Sequence, residues 1–203
     1  MIYAPVLIPT LNRWQHFQRC VESLSRCTHA DKTVLYVALD YPLKEEHWEG
    51  YKKISDYVET IRGFKDVVII RREVNYGAVR NNDDAQDYIY ETSDRIICID
   101  DDNELAFNFL DYVNKGLELF KDDHRVSAIC GFPRMIRIPK EYNDNFYADY
   151  SFNAWGFGTW KRVWNAQHWD VSTIYKVLRN PVDLWRIYNV YESLAFTLVN
   201  MIN

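Results

Sequence analysis

Apolar positions along the first two-thirds of the chain fall into two alternating rhythms. Unbroken apolar runs at Tyr3 to Ile8, Thr33 to Leu39, Val67 to Ile70, Arg95 to Ile99 and Val126 to Cys130 read as strands buried on both faces. Between them apolar residues recur every three or four positions, as in Trp14, Phe17, Val21 and Leu24, then Trp48, Tyr51, Ile54, Val58 and Ile61, and later Leu110, Val113, Leu117 and Phe120. Those spacings predict helices, with a further one near residues 82 to 92. Asn12 with Gln15 three residues on predicts a capping box for the first helix. Strands alternating with helices predict an α/β fold with a mostly parallel central sheet flanked by helices. In such sheets ligands bind at the carboxyl ends of the strands.

Beyond Gly131 the rhythm gives way to aromatic, polar and glycine-containing segments, which predicts one part over residues 1–130 and a second over 131–203. A last helix is expected with Asn180 as cap, Pro181 at its first position and Asp183 three after the cap. Ile187, Tyr191, Leu194, Leu198 and Met201 carry its spacing to Asn203, and with no C-capping glycine the chain is expected to be truncated at that end.

Composition narrows the function classes. A formal net charge of −5 offers no basic footprint for nucleic acid. No run approaches the roughly 20 apolar residues of a membrane span, and no signal peptide precedes the first strand, so a cytoplasmic protein is expected, compatible with peripheral membrane contact. Cys20, Cys27, Cys98 and Cys130 form no C-x-x-C pair and read as reduced core residues, while the five histidines lack zinc spacing. Aromatics at 16% supply flat faces suited to sugars, although most of them must be core.

The candidate chemistry gathers at the predicted strand ends. Asp100, Asp101 and Asp102 follow the fourth strand, and like charges so crowded call for a cation. Hard oxygen ligands suit Mg2+ or Mn2+, which take their remaining ligands from water and a substrate diphosphate. A solvated turn is the bland alternative. Asp40 ends the second strand at the same edge, suited to a base or ribose. The loop Pro9, Thr10, Leu11, Asn12, Arg13 ends the first strand and opens a helix; Arg13 reads equally as a base or phosphate contact and as a solvated first-turn arginine. Asn75-Tyr76-Gly77 leads through Arg80 and Asn81 into a helix, with Gly77 permitting close backbone approach and Arg80 reaching an anion. Arg71 and Arg72 read as a surface charge pair.

Taken in order, these motifs resemble the GT-A glycosyltransferases of family 2. Pro9 to Arg13 is similar to that family's first donor loop, Asn75 to Asn81 to its N-x-G-x-x-x-A-R-N region with one residue fewer, and Asp100-Asp101-Asp102 to its D-x-D motif. Asp100 to Phe109 also resembles the E-D-D-L-E-x-A-P-D-F stretch of the N-acetylglucosaminyltransferases that begin complex N-glycan branching. That resemblance implies Asp102 as the metal ligand, with Asp100 and Asp101 beside the nucleotide. Trp155-Gly156-Phe157-Gly158-Thr159-Trp160 resembles the W-G-W-x-T-W segment of bacterial polysaccharide-type enzymes, which implies acceptor contacts from Trp155, Gly156, Phe157 and Gly158; a tryptophan-rich core corner is the alternative.

The resemblance implies a GT-A fold, residues 1–130 as the Rossmann-like half that binds a nucleotide-diphosphate sugar, a UDP-sugar being favoured, and 131–203 as the acceptor side. It further implies inverting, metal-dependent transfer to a saccharide acceptor. Asp170, Asp183 and Glu192 are the candidate bases, none lies in a base motif, and the base is expected beyond Asn203. Two rivals stand beside it. One is a noncatalytic carbohydrate-binding domain on a degenerate GT-A fold; the other is a sugar nucleotidyltransferase, against which residues 1–20 contain no glycine for its phosphate loop.

Overall fold

The computed structural model describes residues 2–132, 139–149 and 152–166, together with 175, 176, 179–183 and 185. Its elements run β1 (Val6–Thr10), α1 (Trp14–Ser25), β2 (Val34–Leu39), α2 (Trp48–Tyr57), β3 (Asp66–Arg71), α3 (Ala78–Tyr90), β4 (Arg95–Cys98), α4 (Phe109–Leu119), β5 (Ala128–Cys130), β6 (Phe157–Trp160) and α5 (Lys161–Ala166). Six strands form one sheet in the order β3-β2-β1-β4-β6-β5. The first four are parallel, and β6 runs antiparallel between β4 and β5.

The apolar runs form strands because both faces of the inner sheet are covered. Leu7 and Ile8 of β1, Leu35, Val37 and Leu39 of β2, and Ile96 and Ile97 of β4 are fully buried. Helix α3 packs on β1, β2 and β4, and α4 on β5 and β6. On α1 the predicted stripe supplies buried Phe17, Val21 and Leu24, and on α4 it supplies Leu110, Val113 and Leu117. The helix expected near 82 to 92 starts earlier, at Ala78.

Strand β6 is the element that periodicity did not predict. It inserts into the slot between β4 and β5, pairing Cys98 with Phe157 on one side and Cys130 with Phe157 on the other. Gly158 belongs to this strand, where a Cβ would lie 2.6 Å from Val113 Cγ1 and 2.9 Å from Leu117 Cδ1. Helix packing therefore accounts for Gly158, and Trp160 is buried with it. We expect Gly158→Ala to overpack this contact and to lower unfolding free energy by about 1–3 kcal/mol in denaturant titration.

Two compact units divide the chain, one comprising Met1–Pro133 with Asn153–Arg162, the other Arg134–Phe152 with Val163–Asn203. The first thus takes back the β6 segment to complete its sheet. Within the second, Val182 N donates to Asn180 Oδ1 at 3.0 Å and Asn180 Nδ2 donates to Asp183 Oδ2 at 2.7 Å, so Asn180 and Asp183 are engaged at a helix start. The remainder of the expected final helix, along with Asp170 and Glu192, lies outside the described residues.

Candidate functional site

The chain reverses its direction of sheet growth at β1. From β1 it proceeds outward to β2 and β3, then returns to place β4 on the other side of β1. Loops leaving the two strands that flank such a switch point diverge and open a crevice at their carboxyl ends. Here those loops are Thr10 to Arg13 and Asp100 to Asp102, and the structure joins them.

Asp101 is buried and accepts a hydrogen bond from Thr10 Oγ1 at 2.8 Å on Oδ2. Its Oδ1 accepts from Arg13 Nη2 in a close ion pair. The same guanidinium donates through Nη1 to Asp102 Oδ2 at 2.8 Å. Arg13 therefore spans two of the three aspartates. Asp102 is the more open of the pair, its side chain 40% exposed. Partial desolvation at the strand end holds Asp100 above the usual carboxylate range, reinforced by the charges of Asp102 and Asp101 and opposed by Arg13.

The beginning of α1 departs from expectation. Arg13 takes the cap position and no side chain caps the helix, so the Asn12–Gln15 capping box does not form. What fixes Asn12 is contact with the neighbouring helix. A Cβ on Gly50 of α2 would stand 1.9 Å from the Asn12 carbonyl oxygen, so the loop and the helix approach closely enough to require glycine. No turn signal surrounds Gly50 in the sequence, and the requirement is visible only in three dimensions.

Asp40 is buried at the end of β2, and its carboxylate is fully engaged. Oδ1 accepts from the backbone N–H of Tyr41 and of Tyr76, both at 2.8 Å. Oδ2 accepts from Gly77 N at 2.9 Å and Asn75 Nδ2 at 3.3 Å. The group expected to face a base or ribose thus clamps the Asn75-Tyr76-Gly77 loop. Gly77 sits at φ 74° as the cap of α3, a conformation that disfavours any side chain although space around it is open.

Arg72 is likewise reassigned from the surface to the frame. Its side chain is only 12% exposed, and Nε donates to Asn81 Oδ1 at 2.8 Å. Asn81 in turn donates Nδ2 to Ala38 O at 2.9 Å, tying α3 to the end of β2. Tyr76 receives Arg72 at 4.6 Å and Arg80 at 3.8 Å from its ring centroid. Arg80, expected to reach an anion, stacks on this ring.

Trp155 and Gly156 form a turn just before β6. Trp155 is 58% exposed and meets exposed Phe132 edge-on, with ring centroids 5.1 Å apart. Gly156 packs beside Phe109, to which a Cβ would approach within 3.1 Å, and the Gly131 N–H donates to Gly156 O at 2.7 Å. Phe132 was not marked by sequence reasoning, and it joins Trp155 only because β5 and β6 pair.

Whether a divalent ion fits can be judged from the donors. Among the described residues no three His, Cys, Asp or Glu side chains converge as a complete cage. Asp102 keeps an oxygen, Oδ1, outside its ion pair with Arg13. One open carboxylate at a crevice suits an ion that takes its other ligands from water and a diphosphate. Cys20 and Cys98 are free and buried nearby, and burial pushes both thiols up, Cys98 to about 12, which disfavours the thiolate.

A mostly parallel sheet with its switch point at β1, and an arginine–aspartate cluster joining the two loops at the carboxyl ends of β1 and β4, is the arrangement of a GT-A fold. The chain belongs to the family described as Glycosyl transferase family 2, whose profile matches residues 6–175, and it is a glycosyltransferase domain. No curated protein matches it by sequence. Among solved structures, the mannosyltransferase PcManGT from Pyrobaculum calidifontis in complex with GDP-Man and Mn2+ aligns with 13% identity and a TM-score of 0.54, covering 81% of this chain and 46% of that one. S. aureus TarS aligns with 15% identity and a TM-score of 0.42 over 62% of this chain and 20% of its own. The chain thus spans less than half the length of either. No helix among the described residues is long and apolar enough to cross a membrane.

Proposed function

We propose that this domain binds a nucleotide-diphosphate sugar in the β1/β4 crevice, with Mn2+ or Mg2+ held by Asp102, and delivers the sugar to a saccharide hydroxyl with inversion. The observation that carries the reading is the joining of Arg13, Asp101 and Asp102 across the switch point. Two carboxylates of different burial receive different tasks there. Asp101, tied to Thr10 and Arg13, fixes the loop; Asp102, partly exposed and with Oδ1 outside its Arg13 pair, is left to hold the ion.

When bound, a divalent ion would supply positive charge to the departing diphosphate. Arg13 contributes a second cation beside it, and the Pro9 to Asn12 backbone, with Asn75 and Gly77, borders the nucleotide. Asp100 supports the turn. Trp155 and Phe132 offer an apolar ledge on which an acceptor ring stacks, with Gly156 and Phe157 shaping it. The similar mannosyltransferase from Pyrobaculum calidifontis, in complex with GDP-Man and Mn2+, agrees in donor class and metal with this reading.

Calorimetric titration with UDP-, GDP-, CMP- and dTDP-sugars, with and without Mn2+, tests it. Binding of one donor that requires the metal is the expected result. A chain that binds saccharide but no nucleotide under either condition would instead be a carbohydrate-binding domain.

A further inference from the structure

Helix α1 carries a second set of side chains beside its apolar stripe. Cys20, Ser23 and Cys27 are buried and spaced three and four positions apart, so they share one face. That face meets the segment after β4 in chain order. Cys20 Sγ donates to Asp100 O at 3.5 Å, Ser23 Oγ accepts from Leu105 N at 3.0 Å, and Cys27 Sγ donates to Ala106 O at 3.4 Å. Thr28 N then donates to Phe107 O at 3.0 Å. The acidic turn and its continuation are thereby laid along α1.

Ser23 is the firmest of the side-chain anchors, since thiols are weak donors. Its hydroxyl donates to Cys20 O at 2.8 Å, one turn back on the same helix, and this leaves a lone pair for the Leu105 N–H. Leu105 lies in an irregular segment, where no helix or strand ladder offers that N–H an acceptor. Upstream, Asp100 O also accepts from Asn103 N at 3.2 Å, closing the turn that carries Asp102. Asp102 therefore sits between two points of attachment to α1, Asp100 O and Leu105 N. Arg19 reaches the same span by pairing with Glu104 at 3.2 Å, but both side chains are exposed and such a pair contributes little.

We propose that Ser23 is a positioning residue for the metal site: by holding Leu105 it sets where the Asp102 carboxylate stands, and so how tightly a divalent ion is bound. This rests on the proposed role of Asp102 as the ligand. Mn2+ and Mg2+ require a ligand oxygen at a short, fixed distance, and groups that orient a ligand from behind change metal affinity by about tenfold or more.

Ser23→Ala removes the acceptor and releases the downstream end of the turn. Mn2+ is titrated calorimetrically at a fixed concentration of the nucleoside diphosphate, UDP, GDP or dTDP, that the native chain binds. The variant should bind Mn2+ about tenfold more weakly, with nucleotide binding in the absence of metal unchanged. Ser23→Thr keeps the hydroxyl and should recover most of the affinity. Ser25→Ala, which removes a hydroxyl that donates to Glu22 O within α1, should bind Mn2+ as the native chain does. A hydroxyl that merely stabilised the fold would lower Tm and leave the Mn2+ affinity of the folded chain as it was.

Native Mn2+ affinity in Ser23→Ala overturns the proposal, and so does a loss that Ser23→Thr does not recover or that appears equally without metal. If Ser23→Ala fails to fold, Ser23→Cys in reducing buffer, with its weaker acceptor, carries the same test. A native chain whose nucleotide binding is indifferent to Mn2+ overturns the role of Asp102 itself, a result distinct from an unaffected Ser23→Ala.

Discussion

Asp40→Asn, an isosteric change, is expected to destabilise the domain and to loosen the Asn75-Tyr76-Gly77 loop together. An amide group at this position has one oxygen to accept with, and its NH2 would face donors. In the native arrangement the carboxylate accepts from Tyr41 N, Tyr76 N, Gly77 N and Asn75 Nδ2. Whichever way the amide is turned, two of those four donors meet a third donor in a buried place. Leaving buried donors without acceptors costs about 1–3 kcal/mol each, so a loss of about 3 kcal/mol is expected. For a chain of this size that corresponds to a fall in Tm of roughly 6–12 °C. Asp40→Ala should do the same or more, with space left at the end of β2.

The same variant separates two roles for Asp40. A carboxylate whose purpose is to touch a base or ribose could be replaced by an amide with a loss of affinity and little change in Tm. A clamp shows the reverse order, with Tm falling in the absence of any ligand and affinity falling because Gly77 and the start of α3 are no longer held. Differential scanning fluorimetry of the ligand-free protein distinguishes them. An unchanged Tm for Asp40→Asn would remove the clamp and return Asp40 to the nucleotide.

Which features could be read from the chain follows from the range of the forces behind them. The parallel strands were legible because burial on both faces leaves unbroken apolar runs, as in Val34 to Leu39, and the amphipathic stripe of α4 was legible for the same local reason. Asp100 to Asp102 and Arg13 could be placed at one edge because parallel strands bring their carboxyl ends together. Strand β6 was not legible. Phe157 to Trp160 is four residues with a glycine inside, and it is extended because Cys98 and Cys130 offer ladders on both sides. Gly50 has the same explanation: only the Asn12 carbonyl, 38 positions earlier in the chain by the numbering of the two residues, makes its missing side chain necessary. Arg71 and Arg72 read as a surface pair by adjacency alone, but successive residues of an extended chain point to opposite faces. Arg71 does turn outward, to Ser55 and Glu59, whereas Arg72 turns to Asn81.

The two neighbouring acids Asp101 and Asp102 should give opposite signatures when each is changed to asparagine. Asp102 forms an exposed ion pair with Arg13, and such pairs contribute about 0–1 kcal/mol, so Asp102→Asn should melt within a few degrees of the native protein. Under the proposed function it should nonetheless lose the metal-dependent part of nucleotide binding, because a neutral amide is a poor ligand for a hard divalent ion. Asp101→Asn should behave the other way. That residue is buried between Thr10 and Arg13, and replacing its charge leaves the Arg13 guanidinium short of a partner, at a cost of about 1–3 kcal/mol. Metal dependence should survive in Asp101→Asn with weaker affinity, since Asp102 is retained while the loop that borders the nucleotide is less firmly held. Calorimetry of UDP with and without Mn2+, beside melting curves for both variants, reads all four quantities. If Asp102→Asn binds nucleotide with undiminished metal dependence while Asp101→Asn loses it, the ligand is Asp101, and the Arg13 pair must open for the ion to reach it.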